Sequence, residues 1–158
     1  MPKQLFAGLI AAGALLLAAA PAAFAAEPAA TVQGARTIDN DSPTGYYLWH
    51  SEDGFHLRTH GPGARHDFDA VLRTRGTFEN VDVVKLEDGD HVDVLDGGHE
   101  LAIHFHTYDF TDGVNFTVRG GDKVRLDLKL DDKVAPTYQI FIGANAHQPM
   151  NNPFTIEI

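Results

Sequence analysis

Apolar and polar residues alternate in short segments along most of this chain, and this pattern constrains the fold more than any other feature. Residues 123–130 read KVRLDLKL, in which every second residue is Val or Leu. A period of two places the apolar residues on one face of a β-strand. Similar segments are found at 46–50, 55–59, 66–74, 77–86, 91–95, 100–107, 114–118, 138–142 and 154–158. Asp-Gly and Gly-Gly pairs, which favour tight turns, lie between many of them.

No segment repeats its apolar residues at the 3.6-residue spacing of a helix over three turns. About ten short strands at a spacing of about ten residues are typical of two packed sheets. We therefore predict an all-β fold, a single antiparallel β-sandwich or barrel-like domain of about nine to ten short strands.

The first 25 residues have the composition of a secretory signal peptide. Lys3 precedes an apolar stretch at 5–20, and the small residues Ala23 and Ala25 define a cleavage position after Ala25. The predicted organisation is a signal peptide at 1–25, a flexible lead-in at 26–43 and the β-sandwich domain at 44–158. The expected location of the protein is periplasmic or secreted.

Charge and composition restrict the partners of this chain. It contains 12 basic and 22 acidic residues, a formal net charge of −10. Such an acidic surface repels phosphate backbones and anionic lipid, so we expect no nucleic-acid partner and no membrane partner after signal cleavage. The chain has no Cys, so neither disulfides nor thiolate metal sites can form. A metal ion or a small extracellular ligand remains as the expected partner.

Strand parity relates three of the nine histidines to one another. In the segment 100–107 the odd-numbered apolar residues share one face, so His104 and His106 share the other. In the segment 91–95 the two valines share one face, so His91 and Asp93 lie on the opposite face. These four residues are therefore expected on the polar faces of two neighbouring strands.

The turn between these segments predicts how they pair. If Gly97-Gly98 forms a two-residue hairpin turn, Val94 lies opposite Leu101, and the two apolar faces match. His91 then lies directly across from His104, with Cβ atoms about 4.5–5.5 Å apart, and His106 lies on the diagonal. A shift by one residue would place valines against histidines.

Three imidazoles with a nearby carboxylate are the ligand types of a divalent transition-metal site. We predict metal ligation by His91, His104, His106 and Asp93, with Zn²⁺, or otherwise Cu²⁺ or Ni²⁺, as the metal. The alternative interpretation of the same residues is a solvated polar face of the sheet. The expected class is a binding protein rather than an enzyme.

Two other functions are compatible with the sequence. If Tyr47 and Trp49 lie on an outer face, they form a metal-free platform for a carbohydrate or protein ligand. The third function is a zinc-dependent hydrolase or lyase on the same histidine face, with Asp93 or Glu100 as the general base. No Gly-x-Ser-x-Gly sequence or phosphate-binding loop occurs, which argues against serine-hydrolase and nucleotide chemistry.

Overall fold

The structure, a computed structural model, describes residues 37–107, 111–143 and 151–158. The predicted signal peptide and most of the predicted lead-in lie outside these residues. Within them the chain forms eleven strands: β1 Gly45–Ser51, β2 Gly54–His60, β3 His66–Thr74, β4 Thr77–Lys85, β5 His91–Leu95, β6 Glu100–Thr107, β7 Thr111–Arg119, β8 Lys123–Leu130, β9 Lys133–Val134, β10 Ile140–Ile142 and β11 Phe154–Glu157. The only helical elements described are two three-residue 3₁₀ turns, Asp96–Gly98 and Thr137–Gln139.

The strands form two sheets that pack face to face, so the predicted all-β sandwich is confirmed. The first sheet has the order β10-β1-β2-β7-β4, and its β1–β10 pair is parallel. The second has the order β11-β8-β3-β6-β5, with β9 attached to β8, and all of its pairs are antiparallel. We call the second sheet the six-stranded sheet.

The core between the sheets is built from the inward positions of nearly every strand. On β3 these positions are Phe68, Ala70 and Leu72, all at most 1% exposed. Leu101 and Phe105 of β6 are fully buried in the same way. Because side chains alternate along a strand, the intervening residues of β3 and β6 lie on the outer face of the six-stranded sheet.

Tyr46 connects the two sheets beneath that outer face. Its ring packs edge-on against Phe68, with ring centroids 5.2 Å apart. Its hydroxyl lies 2.7 Å from the Asp69 carbonyl oxygen and 2.5 Å from the Lys129 carbonyl oxygen, so its proton is shared between β3 and β8. Burial, followed by the charge of Asp69, raises the pKa of the Tyr46 hydroxyl well above its usual value. The hydroxyl therefore remains a donor that fixes the backbone at Asp69.

Two local predictions differ from the structure. The alternation at 138–142 predicts a continuous strand, but Thr137–Gln139 forms a 3₁₀ turn after Pro136 and the strand begins only at Ile140. Lys133–Val134 forms an additional short strand that pairs with the end of β8. Asp131 and Asp132 make this tight return possible, because both adopt positive φ angles.

Candidate metal centre on the six-stranded sheet

The β5–β6 hairpin has the predicted register. Val92 pairs with Ile103, Val94 with Leu101, and His91 lies directly across from His104. The turn uses positive φ angles at Asp96, Gly97 and Gly98, and the His99 N–H donates to the Asp96 carbonyl oxygen at 3.2 Å. Local turn chemistry and the matching of apolar faces therefore determine where these two histidines lie.

His104 and His106 converge on the outer face of this sheet. Their Nε2 atoms are 3.3 Å apart, and the ring centroids are 4.6 Å apart with the planes nearly perpendicular. Both side chains are half-buried, 23% and 22% exposed. The two imidazoles therefore present their Nε2 atoms to one shared point at the surface.

Each of these imidazoles is oriented by a carboxylate on β3. Nδ1 of His104 lies 2.7 Å from Asp69 Oδ1, and Nδ1 of His106 makes a short hydrogen bond to Asp67 Oδ1. These bonds follow the strand register, in which Asp69 pairs with His104 and Asp67 with His106. Since an ionised carboxylate can only accept, each Nδ1 carries a proton and donates it.

This tautomer determines what the two Nε2 atoms can do. A neutral imidazole with a proton on Nδ1 has only a lone pair on Nε2. Two such lone pairs 3.3 Å apart repel each other unless one imidazole takes up a second proton or a cation binds both. Two nitrogens bound to one tetrahedral Zn²⁺ at about 2.0–2.1 Å are themselves about 3.3 Å apart. The observed separation fits two ligands of one metal ion, and it equally fits a hydrogen bond between the two Nε2 atoms in which one imidazole carries a second proton.

A turn before β5 fixes the position of His106. Asp90 Oδ1 accepts the backbone N–H of His106 at 2.7 Å, and Asp90 Oδ2 accepts that of Glu87 at 2.9 Å. Gly89 of this turn has φ +96°, and a Cβ atom placed there would lie 2.6 Å from Cδ2 of His106. The turn therefore leaves room for the His106 ring only because residue 89 is Gly.

His91 and Asp93 occupy the predicted face but not ligand positions. The His91 ring is stacked on that of His104, with centroids 5.0 Å apart, and its Nδ1 lies 3.3 Å from the Gly89 carbonyl oxygen. Asp93 pairs with Ala102 and is exposed; in the described part of the chain it makes no hydrogen bond or ion pair with the three histidines. Within the described residues, no three His, Asp or Glu side chains converge closely enough to hold a metal ion. Two converging nitrogens are therefore in place, and a third ligand requires a side chain to turn.

An open cleft of about 330 Å³ adjoins the pair, lined by Arg65, Glu87, Asp88 and His106. Glu87 Oε1 lies 2.5 Å from Lys85 Nζ, so this carboxylate is already paired with a cation. The cleft gives a small molecule or water access to the His106 ring.

The other predicted binding residues lie on the outer face of the first sheet. Tyr47 is fully buried, stacked on Phe141 with centroids 4.6 Å apart, and offers no surface to a ligand. Trp49 is half-buried, and its ring is contacted by His56 and by the guanidinium of Arg58, each 5.2 Å away. The pair therefore does not form a two-ring platform.

The fold and this site together define a β-sandwich with a carboxylate-supported histidine pair on the outer face of one sheet. No protein-family model, no curated protein and no solved structure matches the chain. In the part of the chain that the structure describes, no helix is long and apolar enough to cross a membrane.

Proposed function

We propose that this protein is an exported β-sandwich protein that binds one divalent transition metal, Zn²⁺ in the first place, through His104 and His106. The observation that carries the proposal is the 3.3 Å separation of the two Nε2 atoms, each on a ring whose Nδ1 donates to a carboxylate. Metal-ligating histidines almost always have such a partner on the other ring nitrogen, because it fixes the tautomer and raises ligand basicity.

His91 is the proposed third ligand. It is exposed and stacks on His104, so a rotation of its side chain brings its Nε2 toward the pair, and exposed side chains rotate on a picosecond to nanosecond timescale. In the stacked orientation its Nδ1 lies 3.3 Å from the Gly89 carbonyl oxygen, and the rotation exchanges this long contact for the metal. A water molecule or Asp93 completes a tetrahedron.

The direct test is a zinc titration of purified, metal-stripped protein beside two double variants. We expect one equivalent to bind the native protein and binding to be lost in His104→Gln/His106→Gln. The matched control is His50→Gln/His56→Gln, which removes two imidazoles from the first sheet and should bind like the native protein. Equal binding in all three proteins, or none in the native protein, would contradict the proposal.

An enzymatic extension of the same site is favoured by one observation: Asp88 and His106 line the same open cleft. A carboxylate beside a metal-bound water is the arrangement of a zinc-dependent hydrolase or lyase. Glu100, one of the two general bases that the sequence suggests, is already paired with Arg73, with 2.8 Å between Oε2 and Nε. Zinc-dependent hydrolysis of an ester probe that is lost in Asp88→Asn would support this extension, and zinc binding without any rate would oppose it.

A metal-free interaction module is the remaining alternative, and its only support is the partly exposed ring of Trp49. It predicts that oligosaccharides quench the fluorescence of this single Trp and that Trp49→Ala abolishes their binding. Quenching without any metal binding would replace the metal proposal with this one.

A further inference from the structure

A second cleft, of about 490 Å³, lies at the opposite end of the six-stranded sheet from the histidine pair. Arg73, Arg75, Lys123 and Arg125 line it, together with Thr155. The chain has only 12 basic residues against 22 acidic ones, and four of the 12 meet here. Among the described residues that line the cleft, Asp122 alone is acidic. The cleft is therefore a cationic region on an acidic protein, and we call it the cationic cleft.

Two of these cations occupy directly opposite positions on neighbouring strands. Arg73 of β3 pairs with Arg125 of β8 in the antiparallel register, and both are exposed on the outer face. Like charges directly opposite on neighbouring strands destabilise a sheet. Arg73 is paired with Glu100 on β6, so an anion bound beside Arg125 removes the remaining cost and adds charge-assisted hydrogen bonds.

Carboxylates nearby pair with two of these four cations. Glu100 binds Arg73 at 2.8 Å, and Glu157 lies at 4.0 Å from Lys123. In the described part of the chain, Arg75 and Arg125 have no ion pair with any carboxylate. Among the described residues, two of the four cations are thus not paired with a carboxylate.

The backbone beneath the cleft is held in place by its own hydrogen bonds. The Thr74 hydroxyl donates to the Lys123 carbonyl oxygen at 2.9 Å and accepts the Gly76 N–H at 3.1 Å, so the turn that carries Arg75 is tied to β8. Thr155 of β11 pairs with Arg125 and places a hydroxyl on the same face. The donors therefore come from three adjacent strands of one sheet and the turn that follows β3.

We propose that the cationic cleft is a binding site for a tetrahedral oxyanion, a phosphate or sulfate group. The planar fork of an arginine donates two parallel hydrogen bonds to such a group, and an ammonium and a hydroxyl supply further donors. The cleft volume of about 490 Å³ is far larger than one such anion, so a small molecule that bears this group also fits. The site is independent of the histidine pair and stands whether or not that pair binds metal.

The test measures binding of inorganic phosphate and sulfate by calorimetry and thermal unfolding, with chloride at equal ionic strength as the reference. A chelator in every sample prevents a bound metal from contributing. We expect the anion to raise the unfolding temperature of the native protein above the chloride reference. Arg75→Gln/Arg125→Gln should weaken binding by about tenfold or more, since charge-assisted hydrogen bonds are lost. Phosphate and sulfate differ in charge, so the preferred anion indicates which group the natural ligand bears.

The matched control is Arg65→Gln/Arg119→Gln, which removes two cations outside the cleft and should change binding by less than about twofold. A further measurement separates a binding role from a structural one. Without anion, Arg125→Gln should unfold at the same or a higher temperature than the native protein, because it removes one cation from a cluster of four. Equal stabilisation by chloride, equal weakening in both double variants, or a large loss of stability in Arg125→Gln would each overturn the proposal.

Discussion

The two ends of the outer face of the six-stranded sheet share strand β3 but differ in the sign and the pairing of their charged side chains. Asp67 and Asp69 at one end of β3 each accept a hydrogen bond from an imidazole on β6. Arg73, six residues and about 20 Å along the same strand from Asp67, is opposite Arg125 in the strand register and forms an ion pair with Glu100. One end pairs both of its aspartates with imidazoles, whereas the other gathers four cations of which only Arg73 and Lys123 have a carboxylate partner among the described residues.

The core beneath both ends is the same alternating set, Phe68, Ala70 and Leu72. The outer residues of β3 can therefore vary without changing the packing that stabilises the sandwich. Pairs between partly exposed groups contribute only about 0–1 kcal/mol to stability. We infer that the aspartates orient the imidazoles rather than hold the fold together, and that the arginines are arranged for a ligand.

The largest expected loss of zinc affinity comes from removing the charges of the two carboxylates that orient the histidine pair. Asp67→Asn/Asp69→Asn keeps an acceptor beside each Nδ1 but removes both negative charges, so zinc affinity should fall by about 10–100-fold. The free energy of unfolding should change by about 1 kcal/mol or less. A zinc titration and a urea titration measure the two effects.

The control for charge alone is Asp53→Asn/Asp127→Asn, which neutralises two carboxylates away from the pair and should leave zinc affinity within about twofold. Phosphate binding at the cationic cleft should be nearly unchanged in both variants. A similar loss of zinc affinity in the control would mean that overall charge, not the orientation of the imidazoles, determines binding.

A smaller loss of zinc affinity is expected from Gly89→Ala. The added methyl group would lie 2.6 Å from Cδ2 and 3.0 Å from Nε2 of His106, at a φ of +96° that favours Gly. We expect a loss of about 2 kcal/mol in the free energy of unfolding and weaker zinc binding. Urea and zinc titrations on the same protein check both.

Gly120→Ala is the comparison at the other end of the sheet. Gly120 has φ +74°, and no atom lies within 4 Å of the position that an added methyl group would take. We expect backbone strain alone, about 1 kcal/mol, with zinc affinity unchanged. If Gly89→Ala bound zinc as tightly as Gly120→Ala, the position of the His106 ring would not matter for the metal.

The sequence predicts the parts of these sites that depend on local chemistry. The register of the β5–β6 hairpin follows from Gly97-Gly98 and from the alternation on either side, so the contact of His91 with His104 could be predicted. The alternation in β3 also places Asp67 and Asp69 on an outer face. That β3 lies beside β6, however, depends on a pairing between segments about 30 residues apart, with β4 in the other sheet between them.

The remaining differences between prediction and structure depend on the pairing of distant segments or on side-chain rotation. Tyr47 has the parity of an outward residue, but the parallel pairing of β1 with β10 brings Phe141 over its ring. The Arg73–Arg125 pair needs the β3–β8 register, which no turn signal specifies. Whether His91 points at a metal or stacks on His104 depends on side-chain rotation, which strand parity does not determine.

Asp112 extends the comparison to a carboxyl group inside the sandwich. It is fully buried and accepts the Thr107 hydroxyl at Oδ2, 2.9 Å away, and Oδ1 has no hydrogen-bond partner among the described residues. Burial, more than any neighbouring charge, raises its pKa above the usual value. Asp67 and Asp69 each accept a hydrogen bond from an imidazole at a partly exposed position. Asp112 is buried and accepts one from a single hydroxyl, so the charged form of Asp112 is disfavoured.

The consequence for stability has a definite sign. A carboxyl group whose pKa is higher in the folded state binds its proton more tightly there, so stability is lost as pH rises from the unfolded pKa through the folded one. Asp112→Asn, which cannot ionise, should therefore unfold like the native protein near pH 3 and be more stable by up to about 1 kcal/mol near pH 7. Urea titrations at the two pH values measure the difference, with the partly exposed Asp127→Asn as the control expected to change by less than about 0.5 kcal/mol. A variant less stable than the native protein near pH 7 would show that the buried carboxylate is stabilised by contacts beyond Thr107.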